Sequence, residues 1–223
     1  MADINFKIPC WYTCRKEPGE EDIDCRLTCH RYMHMNYFIM NCGMPNAERY
    51  LKPINVPTED EDAYDKLIEI KDNVNSFVKN GNNLLLTSDK TQNGKTTWCL
   101  KLMYRYFHEI WAGSDYVPKG YFLYVPDFLR KLKSFEYNNT SEYKEIDKNL
   151  KNVDIVIWDD IINYPLSITE QTILNNYIVK RMMEGKANIF NGLDLGNIKA
   201  NIGEVLYMRL SKCKKIELKA NLI

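Results

Sequence analysis

Short apolar runs alternate with segments of helical periodicity along most of the chain. Tyr64, Leu67, Ile68, Ile70, Val74, Phe77 and Val78 recur at the spacing of one helix face, which predicts a helix over 63–78. Asn80-Gly81-Asn82-Asn83 stops it, and the apolar run at 84–87 reads as a strand. A second helical segment covers 96–111 and breaks at Gly113-Ser114-Asp115; residues 120–125 read as a second strand and 126–135 as a helix. Residues 137–149 are polar and predict irregular structure, helical in part. A buried strand over 153–161 passes through Ile155-Val156-Ile157-Trp158 and ends in Asp159-Asp160. A helix over 169–183, a fourth strand over 187–190 and a short fifth over 214–218 follow. Buried strands separated by helices predict an α/β fold, a parallel sheet sandwiched by helices.

The first 55 residues carry a different pattern. Five of the seven cysteines fall between Cys10 and Cys42, and the first four form two close pairs, Cys10 with Cys14 and Cys25 with Cys29, on either side of an acidic turn. Paired thiolates at such spacings suit tetrahedral zinc, and in a reducing compartment metal is favoured over disulfide. His30, His34 and Cys42 lie close enough to replace one ligand, and the alternative is a cluster of free cysteines in a small apolar core. So short a region gains its stability from the metal. Pro45, Pro53 and Pro57, followed by the acidic helix start at 58–62, divide the chain into a zinc-binding module at 1–55 and a larger domain at 56–223. Cys99 and Cys213 stand alone in periodic segments and read as core packing.

Charge and composition narrow the class of partner. Thirty basic residues balance thirty acidic ones in 223, so no molecular field draws the whole protein to nucleic acid or membrane. Any nucleic-acid contact must be local, and 199–219 supplies a modest basic patch of Lys199, Arg209, Lys212, Lys214, Lys215 and Lys219 against Glu204 and Glu217. It reads equally as a solvated face. No stretch has the apolar length of a membrane span, which predicts a soluble cytoplasmic protein.

The chemistry lies where the first strand meets the next helix. Asp89, Lys90, Thr91, Gln92, Asn93, Gly94, Lys95, Thr96 and Thr97 have the layout of a phosphate-binding loop: backbone N–H groups and a helix N-terminus cradle phosphate, and Lys95 adds its charge. Asp89 stands where that pattern usually has its first glycine. Nucleotide hydrolysis also needs magnesium, held by a loop hydroxyl and a carboxylate at the end of a neighbouring strand. Thr96 and Asp159 are the candidates for the metal, and Asp160 for orienting water. The cofactors implied are ATP and Mg2+.

These motifs, with 121–129, Lys180-Arg181, Ile189-Phe190 and Leu206-Tyr207-Met208-Arg209-Leu210, resemble the bacterial and phage replicative helicase loaders of the DnaC and DnaI type, a branch of the AAA+ ATPases that includes the IstB-like transposition ATPases. The resemblance covers about residues 63–218, and the cysteine region is similar in arrangement to the N-terminal zinc module of DnaI. It implies a P-loop NTPase of AAA+ fold with slow ATP hydrolysis, and Arg209 as an arginine finger reaching a neighbouring subunit's γ-phosphate. It also implies a homo-oligomeric ring or spiral, and delivery of a DnaB/DnaC-type hexameric helicase to single-stranded DNA. The zinc module would dock that helicase, and compact size with a divergent loop suggests a phage or mobile element in a bacterial host cytoplasm. The family's polar sensor after the fourth strand falls nearest Asn191. Alternatives are an IstB-like transposition ATPase and a P-loop adaptor with weak or no hydrolysis. A small-molecule P-loop kinase would need a substrate lid and an arginine set that no segment supplies.

Overall fold

The computed structural model describes residues 30–44, 56–133, 140–194, 196 and 198–220. Five strands, β1 (Asn83–Ser88), β2 (Gly120–Tyr124), β3 (Ile155–Asp159), β4 (Ala187–Leu193) and β5 (Lys214–Glu217), form one sheet in the order β2-β3-β4-β1-β5. All four pairings are parallel. Strand alternation sends Leu84, Leu86, Ile155, Ile157 and Ile189 to one face and Leu85, Val156, Trp158 and Phe190 to the other. Both faces are apolar, so both must be covered.

On the first face lie α1 (His30–Met40), α2 (Glu61–Asp72), α3 (Val74–Lys79) and α4 (Lys95–Ile110). On the second lie α5 (Val125–Leu132), α6 (Ser141–Asn152), α7 (Ile168–Met183) and α8 (Ile198–Leu210). The α/β sandwich predicted from the strand pattern is therefore the fold of the described chain. No helix among the described residues is long and apolar enough to cross a membrane.

Several elements depart from the sequence pattern for local reasons. The single helix predicted over 63–78 is two, because Asn73 turns its side-chain amide back onto the Glu69 carbonyl, 3.0 Å away, and takes non-helical angles. Residues 141–152 form a regular helix whose N-terminus is capped by Thr140, which accepts from the Tyr143 N–H at 3.1 Å. Its few apolar residues, Ile146 and Leu150, are buried. Helix α8 contains Gly203 at φ +78°, which bends the chain toward α7; a Cβ there would stand 2.1 Å from Gln171 Oε1. That interruption hides a helix from any periodicity count.

Helix α1 lies in the region that the cysteine pattern assigns to the N-terminal module. Met35, Phe38, Ile39 and Cys42 are all buried in the first core, with Phe38 against Phe107 of α4. Past the helix, the Cys42 carbonyl accepts from the Phe122 N–H at 2.7 Å, so the chain adds to the edge of β2. Residues 30–44 thus belong to the packing of the α/β core. Burial pushes the Cys42 thiol up to about 12, and its Sγ donates to the Ile39 carbonyl, the setting of a thiol packed in the core. Cys10, Cys14, Cys25 and Cys29 lie outside the described residues. Among the described residues no group of three or more His, Cys, Asp or Glu side chains is placed to hold a metal ion.

The N-terminal end of the sheet is fastened by Arg181, which is 1% exposed. Its guanidinium donates to the carbonyls of Leu150, Val153, Asp154 and Ala187 and to Asn188 Oδ1. One side chain so satisfies the end of α6 and the approaches to β3 and β4. Asn188 continues the network, accepting from Trp158 Nε1 and donating to Asn83 Oδ1 at 2.8 Å.

Candidate nucleotide site

The opposite, C-terminal end of the sheet carries the candidate chemistry, as expected where parallel strands hand over to helices. β1 ends at Ser88, whose Oγ accepts from the Lys90 N–H at 3.0 Å and starts the turn. Gln92 (φ +55°) and Gly94 (φ +86°) take left-handed angles, and the chain enters α4 at Lys95. The first-turn N–H groups of a helix have no intrahelical acceptor, so this end is suited to an anion. A side chain at the left-handed Gln92 position costs about 1 kcal/mol or more relative to glycine. The Asp89 side chain is exposed.

Lys95 is buried rather than free on the surface, and its Nζ donates to the Lys90 carbonyl at 3.0 Å and to Asn93 Oδ1 at 2.9 Å. Burial lowers its pKa, opposed first by the charge of Asp160. Asn93 is itself buried, and its Nδ2 has no partner among the described residues.

Thr96 Oγ1 donates to Asp159 Oδ1 at 2.9 Å, across 63 residues of sequence. The loop hydroxyl and the carboxylate at the end of β3 therefore share one place. Burial raises the Asp159 pKa to about 6, against the pull of its hydrogen bond from Asn191. A buried carboxylate beside a hydroxyl is a hard-oxygen pair that fits magnesium, whose charge would offset the desolvation. β3 stops at Asp159. Asp160 turns into the left-handed region (φ +59°), and burial raises its pKa also, with Asn163 and then Lys95 pulling it down.

Asn191 stands inside β4, fully buried. Its Nδ2 donates to Asp159 Oδ1 at 2.5 Å and to Cys99 Sγ at 3.4 Å, while its Oδ1 accepts from the Asp160 N–H at 3.0 Å. It holds both aspartates, and this geometry leaves it no surface toward a ligand. A cleft of about 440 Å3 opens beside Thr96 and Asp159, walled by Tyr124, Asp127, Phe128 and Lys131.

The structure thus gathers Lys95, Thr96, Asp159, Asp160 and Asn191. Arg209 stays apart, exposed in the last turn of α8, and among the described residues no ion pair or side-chain hydrogen bond engages its guanidinium. The first part of α8 touches the site: Asn201 Nδ2 donates to the Ile162 carbonyl at 3.1 Å, and its own carbonyl accepts from the Leu166 N–H at 2.7 Å. The basic patch is weaker than its lysine count suggests. Lys199 pairs with Glu204, Lys214 with Glu69 and Lys215 with Asp194.

No family model and no curated protein sequence matches the chain. Solved structures do. A DnaC helicase loader superposes with a TM-score of 0.61 at 15% identity, over 77% of this chain and 99% of that one. DnaI gives 0.59 at 19%, over 80% and 93% respectively. The replication initiator DnaA bound to AMPPCP and single-stranded DNA gives 0.57 at 16%, over 74% of this chain and 48% of that one. At such identities the likeness is one of fold, and the fold is that of a P-loop AAA+ protein.

Proposed function

We propose that the protein is an ATP-dependent helicase loader in DNA replication, of the DnaC and DnaI kind. The observation that carries this reading is the 2.9 Å contact of Thr96 with Asp159, which joins a phosphate loop to an acidic strand end in a fold shared with two loaders and an initiator. In this reading Lys95 exchanges its bonds to the Lys90 carbonyl and Asn93 for phosphate oxygens. Thr96 and Asp159 would hold Mg2+, which would supply charge neutralisation at the phosphates. Asp160 orients the attacking water, and Asn191 fixes both aspartates. Turnover is slow in this reading, and ATP acts largely as a switch.

The same reading makes the N-terminal module the helicase-docking element and gives Cys10, Cys14, Cys25 and Cys29 a zinc ion, with their spacing as the support. It takes the assembly to be a ring or spiral built by Arg209 of one subunit at the nucleotide of the next, acting on single-stranded DNA. Docking is tested by capture of the replicative helicase with the full chain and with a form lacking residues 1–29. The cut belongs before His30, because α1 is core. The full chain should retain the helicase and the truncated form should lose it; undiminished capture by the truncated form removes the docking role.

A further inference from the structure

We infer that the Asn93 side chain sets the affinity of the phosphate loop, because its oxygen competes with phosphate for the Lys95 ammonium. The inference rests on the nucleotide reading of Lys95 and adds a residue that tunes it.

A lysine ammonium has three N–H donors. Lys95 directs its Nζ to two oxygens of its own loop, the Lys90 carbonyl at 3.0 Å and Asn93 Oδ1 at 2.9 Å. Both acceptors are fixed from behind. The Lys90 peptide is held by its N–H, which donates to Ser88 Oγ at 3.0 Å. Asn93 is 1% exposed and stands between two left-handed residues, Gln92 and Gly94, so the backbone on either side sets where it lies. Lys95 is buried as well, and a cation away from water holds its charge-assisted bonds strongly. To meet phosphate with more than one N–H, Lys95 must let go of at least one of these oxygens.

The two acceptors differ in one respect. A backbone carbonyl is present whatever residue occupies position 90, whereas the second acceptor exists only because residue 93 is asparagine. The bond to Asn93 is also held at a cost. With Oδ1 turned to the cation, Nδ2 is the end of the amide left buried with no partner among the described residues, and an unpaired buried donor is unfavourable. Asn93 is therefore a brake that phosphate can overcome, and a side chain without an acceptor at this position removes it. Lys95 then keeps one internal oxygen and has two N–H groups to offer.

Equilibrium binding of labelled Mg·ATP to full-length variants tests this. Asn93→Ala should bind about 3- to 10-fold more tightly than wild type, the factor set by one lost competing hydrogen bond. Asn93→Val, which also lacks an acceptor but keeps more of the buried bulk, should do the same, so the result does not depend on how the loop tolerates a smaller side chain. In a Lys95→Ala background, Asn93→Ala should change affinity by less than about twofold, because the competition has lost its object. Unchanged affinity in both position-93 variants overturns the inference. Weaker binding overturns it too, and would make the Asn93 amide a phosphate ligand through Nδ2. A gain that persists without Lys95 would place the effect in the loop backbone and likewise overturn it. The parent reading is tested separately by Lys95→Ala alone. Weakened binding there with no gain in the position-93 variants sinks the role of Asn93 only, whereas equal binding by wild type and Lys95→Ala sinks both.

Discussion

Arg209→Ala is expected to lower ATP turnover of the assembled protein by about 10³-fold while nucleotide affinity stays near wild type. The guanidinium is exposed and engages no partner among the described residues, so its removal disturbs no packing. It also forms no hydrogen bond with Lys95, Thr96, Asp159 or Asp160 of its own chain. A charge that completes the site from a neighbouring subunit fits this isolation, since such a group stabilises the charge that develops on the transferred phosphoryl oxygens. Mixing makes the test specific. Arg209→Ala subunits keep an intact nucleotide site, and Lys95→Ala subunits keep an intact arginine. Combining two nearly inactive preparations should restore part of the turnover. Full activity in Arg209→Ala alone, or no recovery on mixing, contradicts a finger supplied across the interface.

Arg181→Leu should cost about 3–5 kcal/mol of stability. Leucine fills much of the volume but leaves the carbonyls of Leu150, Val153, Asp154 and Ala187 in a dry interior without their donor. Each unsatisfied acceptor carries its own desolvation penalty. For a chain of this length the loss corresponds to a fall in melting temperature of roughly 6–20 °C, read by calorimetry. A change of no more than about 2 °C would show that water or relaxed carbonyls replace the guanidinium at little cost.

The sheet, and the meeting of the Gly-Lys-Thr loop with the paired aspartates, are legible because each rests on a short sequence signal with one physical solution. Val156 and Trp158 face one helical layer and Ile155 and Ile157 the other, so a continuous apolar run has only a doubly covered strand to form. A Gly-Lys-Thr after one such strand and paired aspartates after another meet because both strands run the same way. What escaped the pattern depends on contacts between distant residues. Helix α1 sits among cysteines that suggest metal, yet Met35 and Phe38 find their partners in α4, far along the chain. Helix α8 is masked by Gly203, which only the neighbouring Gln171 explains. Lys180-Arg181 reads as an ordinary basic pair, and nothing local tells that the second member is buried while the first pairs with Glu184 at the surface.

The same limit applied within the site. Asn191 is legible only as the polar residue nearest the family's sensor, after a strand read as ending at Phe190; that it lies inside the strand and holds Asp159 and Asp160 follows from three hydrogen bonds that cross the sheet.

Equilibrium binding of labelled ATP, with and without Mg2+, to the wild-type chain and to Lys95→Ala tests the nucleotide site most directly. The site as built requires saturable, Mg2+-dependent binding by wild type and binding weaker by about 100-fold in Lys95→Ala, since a charge-assisted contact to phosphate is lost. Equal binding by the two proteins, or binding indifferent to Mg2+, would contradict a nucleotide site formed by Lys95, Thr96 and Asp159.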